Sequence, residues 1–128
     1  MKVILLKLCE EDDYYKSNEE TELLYVKDEF IDQIRPLYDD FDHYWMYIHN
    51  GLDDPKGLTV QEAERLLDEL GEELTETEIK HFDAFHEIDN WNLGNFITLF
   101  QTIYPDSVPE EKLAPSDVHI DMTMEFSW

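Results

Sequence analysis

Five histidines, one cysteine and 32 Asp and Glu residues are the groups in this 128-residue chain that could do chemistry. His43 and His49 lie around Trp45, and His81 and His86 flank Phe82 and Phe85. Separations of five and six residues do not stack two imidazoles on one helix face, where three or four would. No His-Glu-x-x-His or Cys-x-x-Cys pattern is present, so zinc has no ligand set, and the histidines are expected to be partly buried or on the surface. Cys9 stands alone, cannot close an internal disulfide, and has no local motif that would give it a histidine; a reduced, inert thiol is expected. Paired carboxylates suit general acid–base work. With 32 acids such pairs arise by chance, and nothing in the sequence marks one as perturbed. A Gly-rich phosphate loop and a nucleophile elbow are both missing, and the chain has only four glycines. No catalytic residue, metal or cofactor is assigned, and the expectation is a protein that is not an enzyme.

The elements that would position these groups follow from hydrophobic period. Residues 2–8 and 21–27 are rich in Val, Ile, Leu and Tyr and read as strands, giving a hairpin over 2–27 with an acidic tip at 10–20. Asp28 reads as the N-cap of a helix carrying Phe30, Ile31, Ile34, Leu37, Tyr38, Phe41, Tyr44, Trp45 and Ile48. Pro36 should kink or split it near Arg35. Thr59 and Glu62 have capping-box spacing ahead of a helix that ends at Leu70 before Gly71. Thr75 and Glu78 repeat the pattern, and Asn90 or Asn92 caps a last helix that Pro105 stops. Residues 105–117 read as a linker. Val118, Ile120, Met122, Met124 and Phe126 then alternate with polar residues, a strand over 118–126. The expected fold is α+β: a single acidic domain over 1–128. Its helical section, 28–104, holds four or five helices. The N-terminal hairpin and the C-terminal strand form a small antiparallel sheet, because a hairpin alone is marginal.

Charge decides which functions survive. Nine Lys and Arg against 32 Asp and Glu give −23. Direct nucleic-acid binding is excluded, since affinity for phosphates comes from basic residues displacing counterions. Attraction to an anionic membrane fails in the same way, and no run reaches the roughly 20 apolar residues of a span. A reduced, cytoplasmic protein fits. The acids crowd the helix ends and the loop at 53–57, and Asp39, Asp40, Asp42, Asp53, Asp54, Glu69, Glu72, Glu73 and Glu76 are expected to form one patch. Such a patch steers a basic partner and presents carboxylates at intervals near those of duplex phosphates. Most of the aromatic run Tyr38–Tyr47 is core by its spacing, while Tyr47, Trp91 and Trp128 are candidate exposed anchors.

Two resemblances bear on the partner. Residues 58–100 resemble a calmodulin-type EF-hand lobe, with Leu70–Ile79 as linker and entering helix and Glu87-Ile88-Asp89-Asn90-Trp91-Asn92-Leu93-Gly94-Asn95 as the loop. That loop is short of twelve positions, lacks the glycine at position six and has no bidentate glutamate, so the resemblance implies the helix pair without calcium. Residues 76–104 are similar to ArdA-type antirestriction proteins through Phe85-His86-Glu87-Ile88-Asp89-Asn90-Trp91 and a following Trp-x-Leu-x-x-Phe helix ending in Tyr104. The overall design is similar to the acidic antagonists of phages and mobile elements, anti-CRISPR proteins among them. These resemblances imply a non-enzymatic inhibitor of a basic nucleic-acid-binding protein, either a nuclease or a defence effector. A toxin-immunity protein against a basic nuclease shares this design. An EF-hand-like regulatory or scaffold module that grips a partner helix is the alternative from another class.

Overall fold

β1, Lys2–Glu11, and β2, Ser17–Val26, form the predicted hairpin, paired antiparallel with Lys2 opposite Val26 and Leu8 opposite Glu20. In this computed structural model the described residues are 1–11, 17–46, 59–88, 92–110 and 118–127. The chain folds as two compact units, one of Met1–Asp32 with Asn92–Trp128, the other Gln33–Trp91.

The first unit is α+β in itself. Its sheet has the order β2-β1-β3, with β3 at Met122–Ser127. The sequence reading expected an antiparallel sheet; β3 instead runs parallel to β1, with Ile4 opposite Met122 and Leu8 opposite Phe126. The reason lies at the end of the sheet where β1 begins. The Lys27 N–H, just past β2, donates to the Ser107 carbonyl at 2.9 Å. That bond holds the chain beyond the last helix at this end. The Asp121 N–H donates to the Val3 carbonyl at 2.8 Å, and the Asp121 carboxylate accepts from the Val3 N–H at 2.8 Å. β3 therefore enters where β1 enters. The strand starts at Met122 rather than at residue 118.

Ile4, Leu6, Leu8, Leu24, Val26 and Phe126 are buried, and they share one face by strand alternation and register. The last helix of the chain, Leu93–Ile103, contributes Leu93, Phe96, Leu99 and Phe100 to this core. The ring of Phe96 meets that of Phe126 at 6.2 Å between centroids. Asn92 caps the helix through the Asn95 N–H at 2.7 Å, and Glu20 of β2 accepts from the Leu93 N–H at 2.9 Å. Two of the amide donors that a helix start leaves unpaired are thereby satisfied.

Among its described residues the second unit has three α-helices: α1, Ile34–Tyr44; α2, Val60–Leu70; α3, Glu76–His86. The helix at 93–103 is α4. The predicted helix from Asp28 is interrupted, but two residues earlier than Arg35. Residues Asp28–Gln33 form a 3-10 helix and α1 starts afresh at Ile34. Pro36 thus falls in the first turn of α1, where a missing N–H loses no intrahelical bond. The core of this unit is aromatic. Tyr44 of α1 meets Phe82 and Phe85 of α3 at 5.5 Å each, and Phe41 meets Phe85 at 5.6 Å. Ala63 and Leu67 are the buried residues of α2.

Candidate functional site

Local sequence rules build the start of α3. Thr75 is its N-cap and forms a full capping box: the Glu78 N–H donates to Thr75 Oγ1 and the Thr75 N–H donates to Glu78 Oε1, both at 3.1 Å. Upstream, α2 ends at Gly71, whose φ of 79° is left-handed. The Glu72 N–H then reaches back to the Leu67 carbonyl at 2.9 Å. This Schellman-type turn fixes Glu72 directly after the helix.

α1 meets this corner with two residues three apart. Asp40 Oδ1 accepts from the Thr75 hydroxyl at 3.2 Å. His43 places Nδ1 2.7 Å from Glu78 Oε2 and Nε2 3.7 Å from Glu72 Oε2. Glu78 is wholly buried. As a carboxylate it only accepts, which puts the shared proton on His43 Nδ1. Lower on the same helix pair, the Tyr44 hydroxyl is 3.0 Å from His86 Nδ1, and His86 stacks on Phe82 at 5.5 Å.

A histidine oriented by a buried carboxylate is half of a catalytic triad. A triad needs a nucleophile on the outward nitrogen; here a second carboxylate, Glu72, stands there. The arrangement suits holding α1 on α3 and fixing carboxylates in place. It does so beside the N-terminus of α3, where the helix dipole favours negative charge. Among the described residues no group of three or more His, Cys, Asp or Glu could hold a metal ion.

The expected patch divides. Asp40 and Glu72 both lie at this corner, Asp40 bonded to the Thr75 hydroxyl and Glu72 3.7 Å from His43 Nε2. Glu76 lies exposed in the first turn of α3. Asp39 is exposed on α1 and Asp42 half-buried; their charges, after burial itself, push the Tyr38 hydroxyl above its ordinary range. Glu73 instead lines a recess of about 180 Å³ with Glu64 and Asp68 of α2, Leu74 and Ile79. Glu69 is exposed on α2. Asp53, Asp54, the 53–57 loop, Tyr47, Trp91, Trp128 and the central part of the EF-hand-like loop lie outside the described residues. His81 of α3 is held below its ordinary value by burial and then by Lys80, with Asp40 opposing.

Sequence reasoning missed the pairing at the centre of this corner. His43 has no histidine at helical spacing, and its partner is a glutamate 35 residues away. The capping box marked Glu78 locally, and no local pattern reports that its carboxylate is buried. Charge is also less concentrated than the patch implied. Residues 33–91 carry sixteen carboxylates against four Lys and Arg, and the remainder of the chain carries sixteen against five.

No known protein family, curated protein or solved structure matches this chain. Among the described residues no helix is long and apolar enough to cross a membrane.

Proposed function

We propose that this chain is an acidic, non-enzymatic inhibitor that occupies the basic nucleic-acid-binding groove of a nuclease or defence effector and acts in the cytoplasm. One observation carries the reading. At the corner of α1 and α3 the carboxylates are fixed rather than merely solvated: Asp40 by the Thr75 hydroxyl, Glu72 by its backbone turn, Glu78 by the capping box and His43. Pre-positioned charges lose less entropy when they meet Lys and Arg than freely rotating ones. The net charge of −23 draws a basic partner in from a distance.

The test begins with affinity capture from a lysate, elution in rising salt, and assay of the captured nuclease with and without the chain. A combined variant, Asp39→Asn, Asp40→Asn, Glu72→Gln and Glu76→Gln, keeps every shape and leaves buried Glu78 untouched. It should slow association by about tenfold or more at low salt. A partner that is not basic, or whose binding ignores salt, would sink the proposal. An unchanged association rate would remove this corner from it.

A further inference from the structure

His43 lies between two carboxylates that the fold holds by different means. Glu78 is set by the capping box and accepts the Nδ1 proton at 2.7 Å. Glu72 follows the left-handed Gly71, and its own N–H is bonded to the Leu67 carbonyl. Its Oε2 stops 3.7 Å from His43 Nε2. The Glu78 side chain is fully enclosed, that of His43 is 25% exposed and that of Glu72 41%. The imidazole thus has one end in the protein and the other beside the surface.

A neutral imidazole has one N–H and one lone pair. Glu78 takes the N–H, so the lone pair falls on Nε2. Glu72 presents lone pairs as well, because a carboxylate only accepts. Two acceptors facing each other form no bond, and 3.7 Å is beyond hydrogen-bond range. One proton, taken from water, changes this. An imidazolium donates from both nitrogens, and a charged N–H···O bond closes to about 2.7–2.9 Å. The bond to Glu78 survives the change, and the Glu72 side responds. Histidine is the side chain whose ordinary titration falls between about pH 5 and 8. Other charges stand close: Asp39, Asp40 and Asp42 share α1 with His43, and Asp40 also acts on His81 of α3, beside Lys80. They set the potential around the ring, while the 3.7 Å gap sets which bond a proton makes.

We propose that His43 is a proton-operated clasp between α1 and the turn after α2. With Nε2 bare, the Glu72 carboxylate, placed by its turn, is offered outward. With Nε2 protonated, Glu72 is drawn onto the ring and its charge is compensated there. The clasp belongs to the chain by itself. Its consequence for a partner rests on the inhibitor reading: acid withdraws one carboxylate from the corner and weakens the hold on a basic groove.

The full chain, labelled with ¹⁵N and ¹³C, is followed by NMR from about pH 8 to about pH 5 with no partner present. At the upper end the His43 ring should carry a proton on Nδ1 and a lone pair on Nε2; at the lower end both nitrogens should be protonated. The Overhauser contact between the His43 ring protons and the Glu72 methylenes should strengthen at least about twofold over that step, as the gap closes. The amides of Gly71 and Glu73 should shift with it, and in Glu72→Ala that step should vanish. Glu72→Gln should keep a strong ring contact at both ends of the range, because its amide N–H donates to the bare nitrogen and its carbonyl accepts from the protonated one. A proton on Nε2 instead of Nδ1 at the upper end would overturn the proposal. So would a ring that keeps one protonation state throughout, or one that gains its proton with the Glu72 contact unchanged. An amide step that survives in Glu72→Ala would assign the movement to other groups and overturn it too. Capture of the basic partner is then measured at both ends of the range. A clasp that closes while capture holds constant would remove Glu72 from the inhibitor reading and leave the clasp standing.

Discussion

His43 and Glu78 show how a buried carboxylate is tolerated. Each oxygen of Glu78 has a donor, the Thr75 N–H on one and His43 on the other. Removing the imidazole leaves one oxygen unpaired where the protein buries it. His43→Ala should therefore cost about 2 kcal/mol in urea unfolding. Glu78→Gln keeps an acceptor for Thr75 and a neutral partner for His43, and should cost less, about 1 kcal/mol. A His43→Ala variant as stable as the parent would reduce the pair to a surface contact. The capping box was legible as Thr75-x-x-Glu78. The partner was not, because no spacing rule links α1 to a residue 35 positions on. His81 gives a pH dependence of definite sign. Burial holds the folded histidine below its ordinary 6.5. As pH falls through that value the unfolded chain takes up the proton first, so stability drops. His81→Gln should flatten the fall in urea midpoint between about pH 7 and 5.5; an unaltered slope would assign it to other groups.

The helices were more legible than the sheet, for a physical reason. Caps are chemistry between residues three apart, so Thr59, Thr75, Asn92 and Gly71 declared their helix ends. Strand alternation has the same period in parallel and antiparallel pairing, so residues 118–126 announced a strand without its direction. That direction is set by Ser107 and Asp121, which no periodicity reports. Gly71 belongs to both levels. Its φ of 79° is strained for any residue with a Cβ, although a Cβ there would touch nothing within 4 Å. Gly71→Ala should thus cost about 1 kcal/mol from backbone strain alone. The same change should loosen Glu72, read as a shift of the His43 imidazole resonances by NMR. A neutral effect on both would mean that the turn relaxes freely.

For the whole molecule, an α+β fold was readable from the order of periods along the chain, and the spread of charge was not. Each unit carries sixteen carboxylates, so self-repulsion acts on both. Salt shortens the screening length from about 30 Å at 0.01 M to about 8 Å at 0.15 M. The thermal midpoint should rise by several degrees over that range, as repulsion within the folded state is relieved. A flat or falling midpoint would mean that the carboxylates are already compensated. The parallel strand has a further consequence, in time. Val3 and Asp121 bond across 118 positions. At about 5–20 residues per second, β1 waits roughly 6–24 s on the ribosome for its second neighbour. The helical unit, residues 33–91, is made in the interval and draws on partners within itself. Synthesis thus favours helices first and the sheet last. Meanwhile the edge of β1 that β3 will fill stays unpaired, which makes the nascent hairpin the species most open to capture by a chaperone.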